Sequence, residues 1–431
     1  MKFLEEKFVP LAAKVGSQKH LVAIRNGFVV AMPATIAGAI AVLLNNFAGV
    51  FGEKGLNMVA IQNGWNTVLQ TTGLGQICKY VEAGTINVLT VLVLSMIAYN
   101  MAKANDGDAK ATSVVALASY LAPASIISGE LGKGLDVTVL KSTGLFVGMI
   151  CALVIGEVFP RLSKMKALKI TMPDGVPPAV ANAFSSLLPA MISIFSWVTL
   201  CTLIEQFTKL TIWDLVTAIV SAPLTSISQS VFTVVLMYGM MCFLWTFGLH
   251  GSSIVGSVAY PVLTPISLEN VAMFAAGKEP QYTVVGGLQS GFAFLGGSGA
   301  TMGAIFAIFI FSKSKAQKAV ASISVAPGIF EINEPLTFGL PIVMNPVYAI
   351  PFILGPILMG VITYFLMEAG WVRRPCIQVP WVTPPILIGF LCTGGDFRGA
   401  IWNAVELVLL TLLWTPFVMM HDKIEAKESL G

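Results

Sequence analysis

Apolar residues in this chain gather in long runs separated by short polar stretches. FVVAMPATIAGAIAVLLNNF from Phe28 and INVLTVLVLSMIAYNMA from Ile86 are examples, each about the length that a hydrocarbon core of roughly 30 Å demands of a helix. Segments of alternating hydrophobicity, the mark of a membrane β-barrel, are not seen. The pattern predicts an all-α polytopic membrane protein. Composition agrees, since 56% of the 431 residues are hydrophobic and 11% are charged, against roughly 25% charged in a soluble domain.

The polar stretches set a topology. Met1 to Arg25 carries Lys2, Lys7, Lys14, Lys19 and Arg25 ahead of the first apolar run, and such an excess of cations marks the cytoplasmic side of a span. The small residues of MPATIAGAIA imitate a signal-peptidase site, but the run continues to Phe47 and reads as a retained first span. FGEKGLNMVAIQNGWNTVLQTTGLG then suits an outer loop or a short interfacial helix. The run from Ile86 leads to AKANDGDAK, the segment from Ala111 to ISGELGKGLD, and the segment from Gly144 to Phe159 to RLSKMKALK. Cation-bearing loops thus fall on alternate connections, which places both in the cytoplasm. TMPDGVPPAVANAF connects to a fifth span from Leu187 to Leu203. The net charge of +3 is spread over loops and ends, with no basic, aromatic-interleaved surface for nucleic acid. Lipid is the expected surroundings.

Beyond that point the pattern breaks up. Apolar segments continue, but GGLQSGFAFLGGSGATMG from Gly286 and WVTPPILIGFLCTGG from Trp381 are interrupted by glycine and proline, as in re-entrant hairpins or broken helices. In transporters such breaks line the binding site, because freed backbone groups can bond a ligand there. Function is therefore expected in the second half. FSKSKAQK and the closing HDKIEAKESLG are the next polar ends and predict cytoplasmic placement, the C-terminus included. The six cysteines stand singly, without CxxC pairs, and read as buried small hydrophobes.

The chemistry-bearing candidates lie in that half. PGIFEINEPLTFGLPIVMNP, residues 327–346, sets Glu331, Asn333 and Glu334 among apolar residues and four prolines. A carboxylate at bilayer depth costs roughly 2.5 to 3.5 kcal/mol, so it should face a cavity or a partner. Pro335 is expected to keep Glu334 out of helical geometry, making the stretch a short helix, a bend and an extended loop. Either glutamate can serve a ligand or tie down broken backbone, and Asn333 can hold the bend or bond a ligand. His250 is the one histidine well inside an apolar stretch, FLWTFGLHGSS, whose polar GSS reads as a helix end. It is either a core histidine satisfied by a carbonyl or a partner of Trp245 and Phe247 in binding sugar, whose C–H face suits an aromatic ring. GGSGATMG, with Gly296 and Ser298, lacks the lysine and strand of a P-loop. Its glycines form either a hairpin tip whose N–H groups reach a hydroxyl or phosphate, or a close-packing surface.

GIFEINEPLTFGLPIVMNP closely resembles the signature of the membrane-embedded IIC component of bacterial phosphoenolpyruvate-dependent sugar phosphotransferase systems, in the lactose, cellobiose and diacetylchitobiose branch. LWTFGLHG and LGGSGATMG appear in the expected order, and the chain looks most like a cellobiose or diacetylchitobiose permease. The resemblance implies a homodimer in the bacterial cytoplasmic membrane with about ten spans and two re-entrant hairpins. It implies dimerisation through 1–205 and sugar binding in 206–431. It also implies that Glu334 and His250 bind the sugar near its 6-hydroxyl. Asn333, Trp245, Gly296, Ser298 and Trp381 are the further substrate contacts expected here, and no cofactor is expected. A separate phosphorylated IIB protein, supplied by IIA, would donate the phosphoryl group from a phosphocysteine. Glu331 lies outside the core of the pattern and inherits no role. The competing readings are a proton-coupled disaccharide symporter, with Glu334 as proton carrier, and a passive sugar channel.

Overall fold

A computed structural model describes residues 14, 17–48, 58–124, 126–129, 132–173, 177–340, 342–343 and 345–428. Lys2, Lys7, Pro341, residues 51–57 of the expected outer loop, 174–176 of the proline-rich connector and the last three residues lie outside them. In chain order the helices are α1 (Lys19–Asn46), α2 (Val59–Thr71), α3 (Leu74–Gly84), α4 (Leu89–Ala104), α5 (Ala109–Leu121), α6 (Leu145–Lys164), α7 (Pro178–Ser185), α8 (Leu187–Thr208), α9 (Ile212–Val216), α10 (Ala222–Ser228), α11 (Val231–Trp245), α12 (Gly251–Ala275), α13 (Met302–Phe311), α14 (Lys315–Ile329), α15 (Glu334–Gly339), α16 (Pro346–Glu368), α17 (Leu387–Cys392) and α18 (Phe397–Glu428). The all-α expectation needs one amendment. Strands β1 (Ile126–Gly129) and β2 (Gly132–Leu135) pair antiparallel, Ile126 opposite Leu135. That segment reads as a plain loop in the sequence, but its backbone polar groups find partners by folding back on themselves.

Among the described residues seven helices are long and apolar enough to cross a membrane, or eight if the pair Ile212–Ser228 and Val231–Trp245, bent by 76°, counts as one span. Two further apolar helices, α5 and α13, run 13 and 10 residues. The described residues form two compact units, one from the chain up to Ala37 with Glu82–Thr225, the other from Gly38–Val81 with Ser226 onward.

In the first unit α4 packs on α5 and α6. Small residues allow the approach: a Cβ on Gly156 would lie 2.6 Å from that of Met101, and one on Gly148 would lie 2.7 Å from Thr90 Cγ2. Asp108 starts α5 by accepting from the N–H groups of Lys110 and Ala111, both at 3.0 Å. The cation-bearing segments meet at one end of this unit. Lys19 Nζ donates to Asn105 Oδ1 at 3.0 Å and pairs with Glu157 at 2.7 Å, Arg161 pairs with the same Glu157, and Lys164 Nζ donates to the Asn105 carbonyl at 2.7 Å.

In the second unit α11 and α18 pack on α16, and α13 packs on α18. Tyr238, Phe292, Phe352 and Trp414 are fully buried at its centre. Asp422 accepts from Ser312 Oγ at 2.8 Å, Lys313 N at 2.6 Å and Gln317 Nε2 at 2.8 Å, so the FSKSKAQK turn and the end of α18 share one end of this unit. All six cysteines are free and buried, as their isolated placing predicts.

Candidate functional site

Three segments singled out in the sequence meet within the second unit. The first is the glycine loop after the π turn Gln289–Ala293. Gly296, Gly297 and Gly299 have φ of 84°, 91° and 82°, a region open to glycine at no steric cost. Packing reinforces the need at Gly299, where a Cβ would lie 2.2 Å from Phe352 Cδ2. Thr301 Oγ1 donates to the Gly296 carbonyl at 2.5 Å and closes the loop.

The second segment is FEINEP. α14 ends at Ile329, and Glu331 takes a left-handed backbone, φ 64°, which turns its side chain back onto the glycine loop. Its Oε2 accepts from Gly296 N at 2.6 Å and Gly297 N at 2.8 Å. Asn333 Nδ2 donates to the Ser298 carbonyl at 2.5 Å. Glu331 and Asn333, 6% and 5% exposed, thus hold the loop from beneath. Of the two readings offered for this loop, the hairpin tip would leave the N–H groups of Gly296 and Gly297 to a hydroxyl or phosphate, but Glu331 takes both.

Glu334 is placed differently from its neighbour. Pro335 does not exclude it from helical geometry, contrary to the expectation above. Glu334 is the first residue of α15, with the proline in the first turn, where a missing N–H leaves no intrahelical bond unmade. Its carboxylate is half-buried and makes no hydrogen bond or ion pair among the described residues.

The third segment is LWTFGLHGSS. The GSS run, read as a helix end, opens α12, and His250 is its N-cap. His250 is exposed, and it is not a core histidine bonded to a carbonyl. Its Nδ1 accepts from Ser253 N at 3.1 Å and sits 2.9 Å from Ser253 Oγ. A backbone N–H can only donate, so the ring proton of the neutral imidazole is on Nε2, which has no acceptor among the described residues. The His250 and Trp245 rings lie 4.8 Å apart, and Trp245 meets Phe338 edge-on at 6.4 Å. Phe338 is four residues beyond Glu334 in α15, on the same helical face. Ser252 Oγ lies 3.1 Å from Ser298 Oγ and joins this segment to the glycine loop. Trp245 is buried, and its Nε1 has no partner among the described residues.

Ring contacts join His250, Trp245 and Phe338, and hydrogen bonds join Ser252, Ser298, Asn333, Glu331 and Gly296, whereas Glu334 shares only the helix α15 with Phe338. Trp381, 54% exposed in the turn after Pro380, makes no ring contact or hydrogen bond with them among the described residues. Phe338 and Ser252 were missed in the sequence, although Ser252 stands two places after His250. No three His, Cys, Asp or Glu side chains gather as a metal site among the described residues. A carboxylate, an imidazole N–H and an indole N–H, each without a partner among the described residues, against aromatic faces suit a neutral ligand rich in hydroxyls.

Residues 25–356 match the family described as "Phosphotransferase system, EIIC". The chain belongs to that EIIC family. Its similarity to named members runs end to end. It is 32% identical over 433 residues to the oligo-beta-mannoside-specific EIIC component of Bacillus subtilis (strain 168), covering 99% of this chain and 95% of that one. It is 30% identical to the cellobiose-specific EIIC component of Lactococcus lactis subsp. lactis (strain IL1403), with 99% and 98% covered. A lactose-specific EIICB component of Streptococcus mutans serotype c (strain ATCC 700610 / UA159) is 29% identical, and the match covers 99% of this chain and 73% of that one. Among solved structures, the crystal structure of ChbC, the IIC component of the N,N'-diacetylchitobiose-specific phosphotransferase system, matches with a TM-score of 0.85 and 32% identity over 100% of this chain and 99% of that one. The EIIC chain is therefore a multi-pass membrane component of a bacterial sugar phosphotransferase system, as its NEP segment led us to expect.

Proposed function

We propose that this EIIC chain translocates a β-linked disaccharide, diacetylchitobiose or cellobiose, and presents its 6-hydroxyl for phosphorylation by a separate IIB protein. The observation that carries this reading is the Glu334 carboxylate, without a partner among the described residues, at the start of α15, the helix whose Phe338 meets Trp245 beside His250. The names of the similar proteins, for cellobiose, oligo-beta-mannosides and diacetylchitobiose, support the substrate class. The fused EIICB of a relative supports IIB as the phosphoryl donor.

Phosphoryl transfer asks mainly for positioning and charge stabilisation. Glu334 accepts the hydrogen bond of the sugar 6-hydroxyl and takes its proton as O6 attacks phosphorus. The P–S bond of the phosphocysteine on IIB breaks, and the thiolate leaves with its electron pair. His250 Nε2–H donates to the same hydroxyl oxygen and orients it. Trp245 offers its ring face to the sugar and its Nε1–H to a hydroxyl, while Ser298 and Trp381 are assigned to the rest of the disaccharide. Glu331 and Asn333 act one step back, by holding the glycine loop. The charged product no longer fits a site made for neutral sugar, which makes uptake one-way.

The wider reading follows the same branch: a homodimer in the cytoplasmic membrane, with dimer contacts from 1–205, about ten spans counting α5 and α13, and both termini cytoplasmic. Purified protein in vesicles, with labelled disaccharide outside and IIB phosphorylated by IIA inside, tests it. Phosphosugar should appear only with phosphorylated IIB, and Glu334→Gln should slow its formation by about 10² to 10⁴-fold, the range for loss of a positioned base. Free sugar accumulating on a pH gradient without IIB would overturn the reading in favour of a symporter.

A further inference from the structure

Both interrupted segments of the second unit pass beside one fully buried amide. Asn403 of α18 is 0% exposed. Its Oδ1 accepts from Ile386 N and Gly389 N, each at 3.1 Å, and its Nδ2 donates to the Gly291 carbonyl at 2.9 Å and to Glu406 Oε2 at 2.8 Å. An asparagine side chain has two donor hydrogens and a carbonyl oxygen with two lone pairs, so all four positions are used. Two bonds go to the segment carrying α17 and one to the segment that leads, five residues on, to Gly296.

The fourth bond fixes the amide itself. Glu406, also 0% exposed, accepts at Oε1 from Thr363 Oγ1 at 2.7 Å, and Thr363 Oγ1 accepts from Trp402 Nε1 at 2.7 Å. Two local features show how tightly α17 is held. Ile386 has φ 72°, a β-branched residue in a left-handed conformation that persists only where its surroundings impose it. A Cβ on Gly389 would lie 2.4 Å from Asn403 Oδ1, so the segment approaches too closely for any other residue.

We propose that Asn403, anchored by Glu406, is a positioning residue that clamps the two interrupted segments together, so that the glycine loop of the sugar site and α17 keep one fixed register. The inference rests on the sugar-binding reading above. A buried polar group satisfied at every position specifies one arrangement of the elements it joins, and a site displaced by about 1 Å can lose up to a hundredfold in rate.

The structure supplies its own rescue experiment. A Cβ on Gly291 would lie 3.9 Å from Cys392 Cβ and 2.8 Å from its Sγ, within the roughly 3.5 to 4.5 Å span between Cβ atoms of a disulfide. Gly291→Cys therefore places a cross-link between the two clamped segments. Wild type, Asn403→Ala, Gly291→Cys and the double variant are purified in detergent and titrated with cellobiose and diacetylchitobiose, oxidised and reduced, with the cross-link read by thiol alkylation and mass. Oxidised Gly291→Cys is expected to form the cross-link with no sugar present. Asn403→Ala should bind about tenfold or more weakly while remaining monodisperse, and the oxidised double variant should recover affinity that its reduced form lacks. A cross-linked double variant that stays weak, or an Asn403→Ala protein that binds as wild type does, overturns the clamp. Should Asn403→Ala not fold, Glu406→Leu replaces it. There one donor hydrogen of Asn403 loses its acceptor, and a weakening of about threefold, restored by the cross-link, is expected. Wild-type protein that binds neither sugar sinks the sugar reading, while the sugar-free cross-link still reports on the clamp.

Discussion

Glu331 and Glu334 stand three residues apart in the same apolar stretch, and they sit in different settings that a stability measurement can separate. Glu331→Ala removes an acceptor from two buried N–H groups, at 2.6 and 2.8 Å. Leaving a buried donor without its acceptor costs about 1 to 3 kcal/mol, so the pair amounts to about 2 to 6 kcal/mol. Two effects reduce that sum. Gly297 N keeps a second bond to the Phe294 carbonyl at 2.8 Å, and removing a carboxylate with an unpartnered Oε1 relieves part of its burial cost. The net loss is about 2 to 4 kcal/mol. Glu331→Gln keeps one oxygen for the N–H groups and should lose about 1 kcal/mol. Glu334→Ala breaks no bond and should stay within about 0.5 kcal/mol of wild type. Thermal unfolding in detergent at one fixed scan rate gives the ranking, since solubilised membrane proteins commonly unfold irreversibly. Glu331→Ala unfolding together with wild type would refute the assignment. So would a Glu331→Gln protein of full stability that has lost sugar binding, because Glu331 would then be a ligand of the sugar.

Two shorter predictions follow from the same geometry. His250→Asn keeps an N-cap oxygen for Ser253 N, so the melting point should hold while the lost Nε2–H donor weakens disaccharide affinity roughly three- to tenfold in calorimetry; unchanged affinity would remove His250 from the site. Gly299→Ala sets a Cβ against the Phe352 ring at φ 82° and should destabilise by about 2 to 4 kcal/mol, from backbone strain and overpacking together. Adding Phe352→Leu should restore the packing share only, and an unperturbed Gly299→Ala melt would show that the loop adjusts freely.

What could be read in advance was set by local pattern, and what could not was set by distant partners. The uninterrupted spans α4, α6 and α8 follow from run length, and the breaks near Gly286 and Trp381 follow from glycine and proline, because both signals act within a few residues. The three motif segments were also visible as unusual polar insertions. Their roles were not, because the burial cost of a carboxylate says only that some partner exists. Glu331 finds its partner 35 residues away in the glycine loop, whereas Glu334 finds none among the described residues. That difference is carried by a left-handed backbone at one residue and a helix start at the other, and hydropathy is blind to both. Pro335 misled for a related reason. A proline restricts the residue before it, but it equally favours the first turn of a helix, and only the arrested end of α14 decides which preference wins. Glu406 is the instructive case. WNAVELVLL from Trp402 sets an asparagine and a glutamate in an apolar run, the same signal that drew attention to FEINEP, yet no proline or glycine marks it. Intramembrane acids in regular helices therefore warrant the same scrutiny as those at breaks, since a buried carboxylate needs donors wherever it sits, and here those donors lead directly to the two interrupted segments.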